Sequence, residues 1–286
     1  MTTRSDLDPR SGPAARTPAA HLAWAIAATL LLVAIERTAD ALSRPGLSSA
    51  VAVAAYLLAT LGAFAGAARF QRGDHLRLAW LLMGLDYLAL VVGRLLWAGE
   101  LLGLPDTATV NALRAAATLL SNVFGVWGSA LFALTWRRTG LPLPGSRREQ
   151  LAVGSLLAVL ALAVPGPHLV ASLRDGLQGD LYAGAMAFGD AADAIVFLLI
   201  APVFLLARAF SGGSLAWPFG LLASANLCWL LLDGFEVFGG LSGVPPWLGP
   251  TVTALLRTLA CLLLAAAGLS QRAAIRSGAP PVEARA

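Results

Sequence analysis

The chain has no lysine: all twenty basic residues are arginine. That excludes a lysine Schiff base, including the retinal linkage of an opsin, and any P-loop lysine. Cysteine is nearly absent as well. Cys228 and Cys261 both fall inside apolar stretches, where a thiol packs as a small hydrophobe, and two such residues build neither a disulfide framework nor a Cys/His metal site. Histidine occurs three times, as His21, His75 and His168, each expected at a segment end or in a loop, which argues against paired-histidine haem ligation inside a bilayer. No cofactor is expected.

Charge is scarce overall. Only 13% of the 286 residues are charged while 58% are apolar, and the mean hydropathy is +0.74. Such a composition belongs to a chain whose solvent is largely lipid. The net charge of +4 arises from short arginine clusters between apolar runs, not from a basic patch, so no nucleic-acid partner is expected. The expected partner is the lipid bilayer.

A bilayer core needs roughly 20 residues of helix, and eight stretches qualify, near 21–42, 47–68, 76–99, 107–136, 149–170, 180–209, 214–239 and 249–271. The predicted fold class is therefore an all-α polytopic membrane protein with eight transmembrane helices. Arg4, Arg10 and Arg16 precede the first span, Arg69, Arg72 and Arg77 follow the second, and Arg137, Arg138, Arg147 and Arg148 follow the fourth. Arg208, Arg272, Arg276 and Arg285 continue the alternation, whereas the opposite loops hold only Arg44 and Arg174. The positive-inside rule then puts both termini in the cytoplasm, as in a bacterial inner (plasma) membrane. The run from Leu22 to Ile35 is short and follows arginines, which also fits a cleaved signal peptide over 1–42. The long segment before it and a later counterpart of the first span favour a retained helix.

That counterpart belongs to an internal echo. Leu78-Ala79-Trp80 recurs as Leu215-Ala216-Trp217, and Thr109-Val110-Asn111-Ala112-Leu113-Arg114 is echoed by Thr251-Val252-Thr253-Ala254-Leu255-Leu256-Arg257. Phe70 and Phe210 end spans two and six. The order is kept, which predicts two tandem four-helix repeats, parallel because four is even. The expected organisation is a disordered tail over 1–19, a first unit over 20–140, a second over 141–271 and a cytoplasmic tail over 272–286.

Charges within spans are costly and face a bundle interior or an aqueous space. Here nearly all fall in the half of each span opposite the arginine-rich loops: Glu36 and Asp40 late in span one, Asp86, Arg94 and Glu100 in span three, Arg114 and Asn122 early in span four. Asp180, Asp190 and Asp193 open span six, Asn226, Asp233 and Glu236 close span seven, and Arg257 is early in span eight. Asn111, Arg114, Thr118, Asn122, Gly125 and Ser129 share one stripe of span four. Asp190 with Asp193, and Asp233 with Glu236, are i, i+3 pairs able to present two carboxylates to one point. Acids outnumber arginines in these spans, so some require a proton, water or a bound cation. The candidate ligand-binding set is Glu36, Asp86, Arg94, Arg114, Asn122, Asp190, Asp193, Asn226, Asp233, Glu236 and Arg257; whether a metal is involved is left open. Spans two and five carry no interior charge and are expected to pack outside or against lipid. Ala183, Gly184, Ala187, Ala191 and Ala194 form a smooth face on span six that invites close helix packing. Pro165-Gly166-Pro167 is expected to end a span or shape an outer loop, and Trp97, Trp136, Trp217 and Trp247 to anchor helices at interfaces.

Three functions fit. The first is binding or transport of a cation, proton or small polar solute in an outward-facing pocket. The second is a sensory or accessory subunit with a membrane-protein partner. Leu78-Ala79-Trp80, Gly93-Arg94-Leu95-Leu96-Trp97 and Trp136-Arg137-Arg138 together resemble membrane input domains that precede bacterial signalling kinases and cyclases. The resemblance covers about a quarter of the chain and implies ligand sensing, although no output domain follows. The third is an intramembrane enzyme acting on lipid. Against it, Gly189-Asp190 carries only part of a GxGD protease signature, since Ala187 stands where the first glycine belongs, and Gly125 with Gly128-Ser129 has the wrong spacing for a GxSG serine.

Overall fold

In the computed structural model, residues 13–101, 107–140, 146–210, 213, 215–239, 245 and 247–278 are described, and among them every regular element is an α-helix. The helices are α1 (Pro13–Ala41), α2 (Pro45–Ala67), α3 (His75–Leu101), α4 (Ala108–Thr139), α5 (Arg147–Ala163), α6 (Gly166–Leu177), α7 (Leu181–Ala209), α8 (Ala216–Gly239) and α9 (Leu248–Gly278). Eight candidate spans are long and apolar enough to cross a membrane, α5 and α6 counting together as one stretch. Large apolar side chains such as Leu61, Trp127, Leu162 and Phe204 lie more than half exposed on the outer helix faces. So wide an apolar surface is compatible with an integral membrane protein.

Local chemistry sets the helix starts. Pro45 sits in the first turn of α2, where its missing N–H costs nothing. Thr107 caps α4 by accepting from the Val110 N–H, and Asp180 caps α7 by accepting from Tyr182 and Ala183. Ser146 and Glu149 form a reciprocal capping box at α5. Asp180 is thus a helix cap on the surface, not a member of an intramembrane acid cluster. Gly140 closes α4 in the left-handed conformation, with φ of 64°.

Three expectations are corrected by the helices. Residues 13–19 and 272–278, expected in the tails, are helical extensions of α1 and α9; the outer ends of both tails lie outside the described residues. Pro165-Gly166-Pro167 divides the fifth span instead of ending it, because Leu169 N–H reaches back to the Pro165 carbonyl at 2.8 Å and restarts the helix as α6. α2 is no lipid-facing outrider. Twelve of its residues are buried, nearly all of them small. Freedom from charge marked α2 as apolar, but its run of Gly, Ala and Ser lets neighbours approach its backbone.

Six helices close into a ring in the order α2, α3, α4, α7, α8, α9 and back to α2. α1 lies outside the ring against α9 and, less extensively, α2, while α5 and α6 lie outside against α7. The α2–α9 seam is the tightest. A Cβ on Gly268 would stand 2.0 Å from the Gly62 carbonyl oxygen, and one on Gly62 would stand 2.4 Å from the Ala265 Cα. On the opposite flank Gly176 of α6 packs on Gly184 of α7, where a Cβ on Gly176 would stand 2.8 Å from the Gly184 Cα, on the smooth face expected there.

α1 and α9 are tied at both ends. Near the termini His21 Nδ1 lies 3.0 Å from Ser270 Oγ, and near the far end Arg257 donates to Glu36 at 2.5 Å. The termini-side half of the bundle is filled by a buried aromatic and aliphatic core. Trp80 and Phe132 stack edge to face at 5.0 Å, and Phe132 meets Phe219 at 6.2 Å.

Candidate ligand cavity

The other half of the ring is not filled. A cavity of about 380 Å³ lies between α2, α3, α4, α7 and α8, bounded by the later part of α3 and α8 and the earlier part of α4 and α7. These are the portions remote from both chain ends. The volume falls in the range of small-molecule sites.

Each helix contributes through its own register. α3 presents Asp86 and Arg94, eight residues apart and so on one face, together with Tyr87 and Trp97. Asp86 accepts a hydrogen bond from Ser121 of α4 at 2.5 Å. Gly125 makes that approach possible, since a Cβ there would stand 3.0 Å from an Asp86 carboxylate oxygen. α4 adds Asn122, whose side-chain amide donates to the Thr118 carbonyl at 2.9 Å. Gly189 of α7 leaves room for the same amide, a Cβ there standing 3.1 Å away.

α7 supplies Asp190 and Asp193, and the i, i+3 spacing brings both to the cavity. Asp190 also faces α6, where His168 Nδ1 lies 2.9 Å from its carboxylate and Ser172 Oγ lies 3.3 Å from the same nitrogen. The His168 side chain is about half exposed while that of Asp190 is largely buried. Asp193 has neither a hydrogen bond nor an ion pair among the described residues. α8 completes the wall with Asn226, Trp229 and Asp233. Four aspartates therefore line one cavity in which, among the described residues, Arg94 is the one basic lining side chain. The Arg94 Nε is itself buried without a hydrogen-bond partner among the described residues.

Seven of the eleven residues singled out from the sequence line this space: Asp86, Arg94, Asn122, Asp190, Asp193, Asn226 and Asp233. Glu36 and Arg257 do not. They pair with each other between α1 and α9, and both side chains are largely buried. Arg114 is also elsewhere: it donates to Asn111 and to the Leu96 carbonyl, and its guanidinium lies 4.3 Å above the Trp97 ring. Depth along a helix placed these three at the right level, but the face they occupy turns toward a neighbouring helix. The side chains of Glu236 and Glu100 lie outside the described residues. Trp97, expected as an interface anchor, lines the cavity on one side and carries Arg114 on the other.

The sequence reading passed over the tyrosines. The chain has three, Tyr56, Tyr87 and Tyr182, and all line the cavity. Trp229 donates its indole N–H to the Tyr87 hydroxyl at 2.8 Å, and Tyr56 meets Tyr87 edge on at 6.4 Å. Tyr182 meets Trp97 edge on at 5.6 Å. A residue type used so sparingly was itself a signal that its positions are special.

No family model, no curated protein and no solved structure matches the chain.

Proposed function

We propose that the chain is an integral membrane protein, with both termini cytoplasmic, whose intramembrane cavity binds a small positively charged solute for transport. One observation carries this reading: aspartates from three helices line a single space in which, among the described residues, Arg94 is the one basic lining side chain. Carboxylates withdrawn from water and set near one another need compensating positive charge. Asp86 is met by the Ser121 hydroxyl and Asp193 by no hydrogen bond or ion pair among the described residues, so a cationic solute entering the cavity supplies positive charge to them. Because the arginine-rich ends of the helices are the ends nearest the termini, the positive-inside rule turns the cavity toward the outer face.

We further propose that the ring is built from two tandem parallel four-helix repeats. In support, α2, α3 and α4 follow one another around the ring as α7, α8 and α9 do, and the two sets join through α4 with α7 and α9 with α2. The outer helices depart from this pattern, since α1 packs against α9 whereas α5 and α6 pack against α7.

The test is charge movement. Purified protein reconstituted in liposomes, read on a solid-supported membrane, should give saturable currents on addition of cationic solutes from a panel of inorganic ions and amines. Asp193→Asn should reduce them by about tenfold or more, the effect of losing one strong ionic contact. Currents that survive unchanged in both Asp193→Asn and Asp233→Asn would sink the proposal.

A further inference from the structure

The acids account for charge, but not for the company they keep. All three tyrosines converge on the same space as the four aspartates, together with Trp97, Trp229 and Phe197. A cavity intended only for a proton or bare metal ion has no need of aromatic walls. The rings are also held in place: Tyr87 by the Trp229 indole, Tyr56 by its edge contact with Tyr87, and Tyr182 by Trp97. Rings held in this way are available to a cation without reorganising.

Among the described residues no three His, Cys, Asp or Glu side chains gather into a group able to hold a metal ion. A bare inorganic cation would meet at most two of these groups together, in a space far larger than itself. A cation that carries apolar substituents fills that space and touches acid and ring together. Two unpartnered groups face it. Asp193 has no hydrogen bond or ion pair among the described residues, and the buried Arg94 Nε has no hydrogen-bond partner among them either. A buried polar group left so is costly until a ligand bonds to it.

We infer that the ligand of this cavity is an organic ammonium ion, its charge held by Asp193 and the neighbouring aspartates and its alkyl groups packed against Tyr87, Tyr182 and Trp229. This rests on the cation-binding reading above and narrows it to a chemical class. Ser129 and Asn226 then offer hydrogen bonds to a hydroxyl or N–H on the same molecule.

The experiment is direct binding of radiolabelled choline to the purified full chain in mild detergent. Competitors are tetraethylammonium, dimethylbutanol as the neutral isostere of choline, and sodium. Saturable choline binding should be displaced by tetraethylammonium and only about tenfold more weakly, or worse, by the neutral isostere. Tyr182→Leu should weaken binding about tenfold while Tyr182→Phe, which keeps the ring, stays within about threefold, and Asp193→Asn should lose it. A thermal shift of the unmodified protein by choline but not by dimethylbutanol makes the same comparison should the leucine variant fail to fold. Saturable sodium binding or proton uptake that depends on Asp193, with neither ammonium ion bound, would overturn the inference and leave the cation-binding reading standing. Absence of binding by every cation would overturn both, as would equal binding of choline and its neutral isostere.

Discussion

The α2–α9 seam and the α3–α4–α7 wall of the cavity use glycine in opposite ways. At the seam Gly62 and Gly268 remove side chains so that two backbones touch, and the result is closed. At the wall Gly125 and Gly189 remove side chains so that polar groups, Asp86 and Asn122, have somewhere to stand, and a cavity adjoins them. The difference is one of partner. Glycine opposite glycine or alanine brings helices together by dispersion alone, which is the main attraction open to helices in lipid. Glycine opposite a long polar side chain stores a hydrogen-bonding group inside the bundle, and the ring stays open there.

The comparison can be broken most severely at the seam. Gly268→Val puts a branched side chain into backbone atoms that cannot move aside, so folded protein should be lost; a normal monodisperse peak on size exclusion would show that the seam is softer than it looks. Next comes the Glu36–Arg257 pair. Glu36→Ala leaves a buried guanidinium uncompensated and should cost about 3–5 kcal/mol, most of it recovered by adding Arg257→Met. Thermal unfolding measures both, and cation binding by the double variant should match the parent, since neither residue lines the cavity. At the wall, Gly125→Ala should cost only about 1–2 kcal/mol but weaken cation binding about tenfold, because the methyl displaces the Asp86 carboxylate. If binding held while stability fell, Asp86 would be structural. Smallest is Ser146→Ala at the α5 capping box, about 1 kcal/mol in unfolding and nothing in binding, since α5 lies outside the ring.

Much of this architecture is legible in one dimension. Apolar length dictates the number of helices long enough to cross a membrane, and the depth of Asp86, Asp190, Asp193 and Asp233 along their helices marks the half of the bundle where polar groups collect. What depth does not supply is azimuth relative to neighbours. Glu36, Arg114 and Arg257 sit at the same level as the cavity acids, yet they turn toward α9, the Trp97 ring and α1 respectively. The role of α2 was hidden for a related reason. A helix with no charge reads as lipid-facing, and only packing reveals that its small residues bury it between α3 and α9.

The sequence by itself determined that eight segments are long and apolar enough to cross a membrane, because hydrophobic length and charge scarcity are properties of each segment alone, independent of what lies beside it. It also determined the asymmetry along the helices, greasy toward the termini and charged away from them. Only the tertiary structure decided which charges meet. Pairing, enclosure and the gathering of three tyrosines around four aspartates depend on the rotation and order of helices in the ring, set by many weak contacts between segments distant in the chain.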